Sequence, residues 1–120
     1  PQLGPLAQLQ TSYGGQGFQV LGFYSDQFGN QAGDENQRST CEQNYGVNFT
    51  TFEIIDVNGG NTHPIFAWLK SKAGGGDLQW NFEKFLIARD GGVLQRWRTS
   101  VEPDDSQVTG AIETALQAAP

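Results

Sequence analysis

The stretch from Leu78 to Trp97 constrains the fold most. It opens with Leu78-Gln79-Trp80-Asn81, a polar turn that carries an indole and a carboxamide. It passes into Phe85-Leu86-Ile87-Ala88, an apolar run that reads as a buried strand. Asp90-Gly91-Gly92 interrupts the run, and strand-like residues resume at Val93. Such a break between two such runs is a hairpin signal, because glycine reaches the backbone angles of a tight reversal. Strands are therefore expected at 84–89 and 93–97. A lone hairpin is marginal in water, so other elements must cover it.

The rest of the chain supplies them. Leu3, Leu6 and Leu9 recur at helical spacing until Gly14-Gly15 ends the pattern. Residues 18–24 are aromatic and branched and read as a strand, followed by a loop from Asp26 to Gly33. A helix is expected at 34–45, with Asp34 as its cap and Glu35 suited to its positive start. Residues 49–57 read as a short strand or extended segment that ends in the turn Asn58-Gly59-Gly60. Asn61 or Thr62 can cap the next helix, with Pro64 in its first turn and Ile65, Trp68 and Leu69 as its apolar stripe. Ala73-Gly74-Gly75-Gly76 ends it. Pro103-Asp104-Asp105 opens a last helix whose apolar face is Val108, Ile112 and Leu116. The order is helix, strand, helix, strand, helix, hairpin, helix, an α/β layered arrangement without internal repeats.

A length of 120 residues fits one domain, expected to span 1–120. Seven basic against thirteen acidic residues, a formal charge of −6, argue against a nucleic-acid partner. No apolar run approaches the roughly 20 residues of a transmembrane helix. The chain starts at Pro1, contains no Met and shows no leader, so it reads as a processed or incomplete, soluble chain. Its compartment stays open, an organelle reached through a removed targeting segment included. One cysteine excludes an internal disulfide and a cysteine-based zinc site, and one histidine argues against a His-based triad or metal cluster. No metal or other cofactor is expected. His63, before Pro64, reads as a structural hydrogen-bonding residue, and Asp104 and Asp105 read as helix-start charges.

Trp80 and Asn81 sit where a loop enters a strand, a place where functional groups gain a rigid support. Both side chains donate hydrogen bonds and can stabilise a thiolate or selenolate. Taken alone, they read more simply as a core aromatic and a turn residue. Gln31 in a glycine-rich turn and Cys41 on a helix have ordinary readings too, as a solvated amide and a buried packer.

The series as a whole decides between these readings. Phe18-Gln19-Val20-Leu21-Gly22-Phe23, Asp26-Gln27-Phe28-Gly29-Asn30-Gln31, Asp56-Val57-Asn58-Gly59, His63-Pro64-Ile65-Phe66-Ala67-Trp68-Leu69-Lys70 and Trp80-Asn81-Phe82 with Lys84-Phe85-Leu86 follow one another in this order. The chain thereby resembles the glutathione peroxidase family from about Gly14 to about Arg98. The resemblance implies a thioredoxin-like fold and reduction of hydrogen peroxide or organic (lipid) hydroperoxides, with thioredoxin or glutathione as reductant. It implies that Gln31, Trp80 and Asn81 are the groups that support the nucleophile, converging near the start of the first helix. The nucleophile matches no residue here. It is expected upstream of Pro1, on a strand that would lie between 18–24 and 84–89, so that those two do not pair directly. By the same resemblance Cys41 is a candidate resolving cysteine. The short connection from Lys70 to Trp80 is similar to that of the monomeric phospholipid-hydroperoxide and thioredoxin-dependent branch.

The departures leave two functions open. Tyr24-Ser25-Asp26 replaces the family's Pro-Cys-Asn, Ala32-Gly33 replaces Glu-Pro after the Gln, and Phe49-Thr50 replaces Phe-Pro. A carboxylate at Asp26 would raise the pKa of a neighbouring thiol. One function is a thiol peroxidase. The other is a non-catalytic peroxidase-like subunit of a larger host assembly. The 120 residues by themselves are expected to show no peroxidase turnover.

Overall fold

The computed structural model describes residues 2–25, 27, 43, 46–52, 54–79 and 82–117. Helix α1 spans Leu3–Tyr13 and tightens into a 3₁₀ turn at Gly14–Gln16, closed by Gly17 at φ 93°. Strand β1 is Leu21–Phe23 and strand β2 is Thr50–Phe52. Helix α2 is Pro64–Ala73, strands β3 and β4 are Lys84–Ile87 and Val93–Trp97, and helix α3 is Ser106–Gln117. The expected order is observed, apart from the helix at 34–45, which falls mostly outside the described residues.

Among the described residues the strands form two separate ladders. β1 pairs in parallel with β2, and β3 pairs antiparallel with β4. The expected absence of direct pairing between the strands at 18–24 and 84–89 is observed. The strand at 18–24 is shorter than its composition suggests. The Gln10 carboxamide explains why: it donates to Phe18 O at 3.3 Å and accepts from Val20 N at 2.8 Å. Those two backbone groups are thus tied to α1 instead of a neighbouring strand.

The hairpin is as expected, with Asp90 Oδ1 accepting from Gly92 N at 3.0 Å. A bulge separates the pairs Leu86↔Gln95 and Ile87↔Val93, leaving Leu94 as the extra residue. One extra residue reverses the faces beyond it. Trp97 therefore packs with Leu86, while Val93 packs on the opposite side with Phe85. The hairpin is covered on both faces. Leu9 of α1 and Val108 and Ile112 of α3 bury Leu86 and Trp97. Phe66 and Leu69 of α2 join Val57 and Leu78 on the other side.

Two local expectations are corrected. The cap of α2 is His63, whose Nδ1 accepts from Ile65 N at 3.2 Å, and not Asn61 or Thr62. Thr62 instead donates its hydroxyl to Gly59 O at 2.7 Å, which closes the preceding turn. The buried stripe of α2 is Phe66 and Leu69, whereas Ile65 and Trp68 are exposed. Both pairs have the same helical spacing, so periodicity alone does not choose between them. Ring contacts do: Phe66 meets Phe23 at 5.4 Å and Phe85 at 6.1 Å, both edge to face. At the other end of the chain Pro103 is fully buried ahead of α3, and Asp105 Oδ1 caps it by accepting from Gln107 N at 2.9 Å.

Candidate active-site frame

Gln31, Cys41, Trp80 and Asn81 lie outside the described residues, as does Asp26. Their expected convergence near the start of α1 therefore also falls there. The structure does describe where the loops that carry them are rooted, and both roots meet at Val57 and Asn58.

Gln27 lies four residues before Gln31. Its Oε1 accepts from Val57 N at 2.8 Å and Asn58 N at 3.1 Å, and its Nε2 donates to Asn58 O at 3.0 Å. A single carboxamide thus pairs with an extended backbone as a strand would. Asn58 does the same for the second loop. Its Nδ2 donates to Leu78 O at 2.7 Å, and its Oδ1 accepts from Leu78 N at 2.9 Å. Leu78 lies two residues before Trp80 and is buried. Lys70 of α2 reaches into the same node. Its ammonium donates to Val57 O at 2.7 Å, Asn58 Oδ1 at 3.3 Å and Asp77 Oδ1 at 3.1 Å.

The far end of the second loop is held by a buried ionic node. Glu83 shares one hairpin face with Phe85, Arg96 and Arg98, as the period of two requires. Its side chain is 0 % exposed. Oε1 accepts from Arg96 Nη2 at 2.8 Å and from Arg98 Nη1 at 2.8 Å, and Oε2 accepts from Gln79 N. Burial pushes the Glu83 carboxyl up, but the Gln79 N–H and the two guanidinium groups outweigh it and hold it below its ordinary value. The guanidinium groups also collect carbonyls of the glycine turn. Arg96 Nη1 donates to Gly74 O at 2.6 Å and Gly76 O at 2.8 Å, and Arg98 Nη2 donates to Gly75 O at 2.6 Å. Glycine at 75 is required, since φ is 85° and a Cβ would lie 3.2 Å from both Arg96 Nη1 and Arg98 Nη2.

Lys84 completes the exit. Its ammonium donates to Phe82 O at 2.6 Å. Phe82 has φ 58°, the one positive value outside glycine among the described residues. Burial lowers the Lys84 pKa from 10.5 to about 8, against the opposing charges of Glu102 and Glu83. Among the described residues no group of three His, Cys, Asp or Glu side chains could hold a metal ion. None of their helices is long and apolar enough to cross a membrane.

Gln27, Asn58, Glu83, Arg96 and Arg98 escape a reading by motif chemistry. Gln27, Asn58, Arg96 and Arg98 bind backbone groups far away in sequence, and Glu83 binds Gln79 N and two guanidinium groups across the hairpin, which no periodicity reports. A signal was available for Arg96 and Arg98, whose spacing puts two cations on one face of a strand.

The chain has counterparts among known proteins. The profile of the glutathione peroxidase family matches residues 1–70. A glutathione peroxidase of Lactococcus lactis subsp. cremoris is 44 % identical over 89 % of this chain and 71 % of that protein. A hydroperoxy fatty acid reductase of Synechocystis sp. is 40 % identical over 88 % of this chain and 69 % of the relative. The solved structure of Trgpx in its apo form superimposes with a TM-score of 0.78 at 34 % identity, covering 99 % of this chain and 73 % of that one. The architecture is thus the thioredoxin-like α/β fold, and with this identity over more than two thirds of its relatives the chain belongs to the glutathione peroxidase family.

Proposed function

We propose that residues 1–120 form one glutathione peroxidase-like domain of a thiol peroxidase, which reduces hydrogen peroxide or organic hydroperoxides, lipid hydroperoxides included. Glutathione or thioredoxin is the reductant. In this reading Gln31, Trp80 and Asn81 are the donors that support a thiolate or selenolate, and Cys41 is the resolving cysteine. The short Lys70-to-Trp80 connection supports a monomer. The reading is carried by the shared root of the two loops: Gln27 binds the backbone of Val57 and Asn58, and the Asn58 side chain binds Leu78, so the segments leading to Gln31 and to Trp80-Asn81 start from one place. Relatives named as peroxidase and hydroperoxide reductase support an enzyme over a non-catalytic subunit.

The chemistry is a nucleophilic displacement at oxygen. The ionised chalcogen attacks one peroxide oxygen, a chalcogen–oxygen bond forms, the O–O bond breaks, and the departing alkoxide takes a proton to leave as alcohol or water. A thiol then displaces water from the oxidised chalcogen, and a second thiolate breaks the mixed disulfide to restore the nucleophile. Amide and indole N–H groups favour the first step twice, by lowering the thiol pKa and by stabilising the leaving oxygen.

The test is a coupled peroxide-consumption assay with either reductant, on the full-length protein and on the 120 residues alone. The expected result is turnover by the full-length protein, reduced at least about 100-fold in Trp80→Phe or Asn81→Ala. No turnover in the full-length protein would overturn the enzyme reading. Turnover by the 120 residues that disappears in Cys41→Ser would make Cys41 the nucleophile.

A further inference from the structure

We propose that Glu83 is a positioning residue for the segment that carries Trp80 and Asn81. The proposal rests on the peroxidase reading for the importance of those two donors, and on described contacts for everything else. Gln79 and Glu83 enclose the segment in the chain, and the Glu83 carboxylate accepts from Gln79 N, so one side chain ties the two ends together. Its second oxygen is fixed by two guanidinium groups, Arg96 on β4 and Arg98 just after it, at 2.8 Å each. A loop closed on itself can still rock as a unit. Fixing the closing residue to the hairpin removes that freedom.

The same guanidinium groups hold the approach to the loop. Arg96 Nη2 and Arg98 Nη1 donate to Asp77 O at 3.2 and 3.1 Å. Arg96 also lies 5.1 Å from the centre of the Phe85 ring, which fixes the plane of its fork. The exit is held separately by Lys84 on Phe82 O. Entry, closure and exit of the segment are each attached to the β3–β4 hairpin. A buried ion pair is a weak source of stability compared with apolar packing of equal volume. Donors from three residues directed at one carboxylate, one of those residues on a strand, fit a part whose task is geometry.

The experiment uses the full-length protein labelled with ¹⁵N. Glu83→Gln keeps size and one acceptor but removes the charge that orders both guanidinium groups. Arg98→Lys is the milder variant, at a side chain 35 % exposed, and serves if Glu83→Gln does not fold. The indole N–H signals are assigned with Trp68→Phe, Trp80→Phe and Trp97→Phe. In either folded variant the Trp80 signal is expected to shift or broaden while the Trp68 signal stays in place. Turnover number should fall about ten-fold or more, with KM for the hydroperoxide within about two-fold, because misplaced donors act on the transition state. An unmoved Trp80 signal with unchanged turnover would overturn the proposal. If Trp80→Phe lowers turnover and the Glu83 and Arg98 variants do not, positioning fails and the peroxidase reading stands. If the parent protein shows no turnover, the peroxidase reading fails, and a shifted Trp80 signal still supports Glu83 as the residue that sets the loop.

Discussion

Replacing Asn58 by alanine tests the shared root most directly. The side chain gives Leu78 both halves of a backbone pairing, donating to its oxygen at 2.7 Å and accepting from its nitrogen at 2.9 Å. It also accepts from Lys70 Nζ at 3.3 Å, a weaker contact because Lys70 keeps Val57 O and Asp77. Alanine leaves the two Leu78 groups without these partners on a residue only 8 % exposed. Each lost bond costs about 1 kcal/mol net, and more where water cannot replace it, so the total is about 2–3 kcal/mol. At about 2 cal/mol/K per residue, a chain of this length unfolds with an entropy near 0.25 kcal/mol/K, which puts the fall in melting temperature at about 10 °C.

Urea titration followed by circular dichroism reads this as a lower midpoint at constant slope. Asn58→Asp refines it. A carboxylate keeps the acceptor for Leu78 N and faces Lys70, but it cannot donate to Leu78 O. Its expected loss is about 1 kcal/mol, below that of alanine. An alanine variant within about 0.5 kcal/mol of the parent would refute the reasoning, since surface substitutions behave that way. The root would then be held by Gln27 and Lys70.

Two further outcomes follow from the packing and charge. Phe66→Ala should destabilise by about 3–4 kcal/mol and Trp68→Ser by less than about 1, measured by the same titration; the reverse order would mean that α2 turns its other face inward. Lys84 sets a pH dependence. Its folded-state pKa, about 8, lies below its ordinary 10.5, so between these values the unfolded chain binds more protons and stability rises with pH. For a fully buried group the gain would be about 3.4 kcal/mol, and for a half-exposed one solvent screening reduces it to about 1 kcal/mol. Relative to Lys84→Met, the parent should therefore gain about 1 kcal/mol between pH 7 and pH 10.5 in urea midpoints, and parallel profiles would contradict the assignment.

How much of this was legible depended on the distance over which each signal acts. The hairpin at Asp90-Gly91-Gly92 and the end of α2 at Gly74 are local backbone events, and both stand where the residues put them. The buried face of α2 was not local, because Phe66 is selected by Phe23 and Phe85. His63 is a structural hydrogen-bonding residue, as its place before Pro64 suggests, and it also takes the capping role for which Asn61 and Thr62 fit the usual preference. Imidazole takes the role here because Thr62 is already engaged with Gly59 O. The loops of the candidate site were named by motif, but their attachments were not. Gln27, Asn58 and Glu83 bind backbone, and a backbone partner leaves no mark in composition.

The basic residues have tasks inside the fold that the balance of charge does not show. Seven basic residues against thirteen acidic ones argued against a nucleic-acid surface. Among the described residues, five basic side chains donate to backbone carbonyls of their own chain: Lys70 to Val57, Lys84 to Phe82, Arg89 to Gln16 and Leu116, and Arg96 and Arg98 to residues 74–77. A cation fixed on a carbonyl is positioned to hold a loop. Four of these five act on the two segments that root and enclose Trp80-Asn81, and Arg89 joins the end of the 3₁₀ turn to α3. A small α/β chain with many glycine turns exposes carbonyls that no ladder satisfies. Guanidinium and ammonium groups satisfy them here, at Val57, at residues 74–77 and at Phe82.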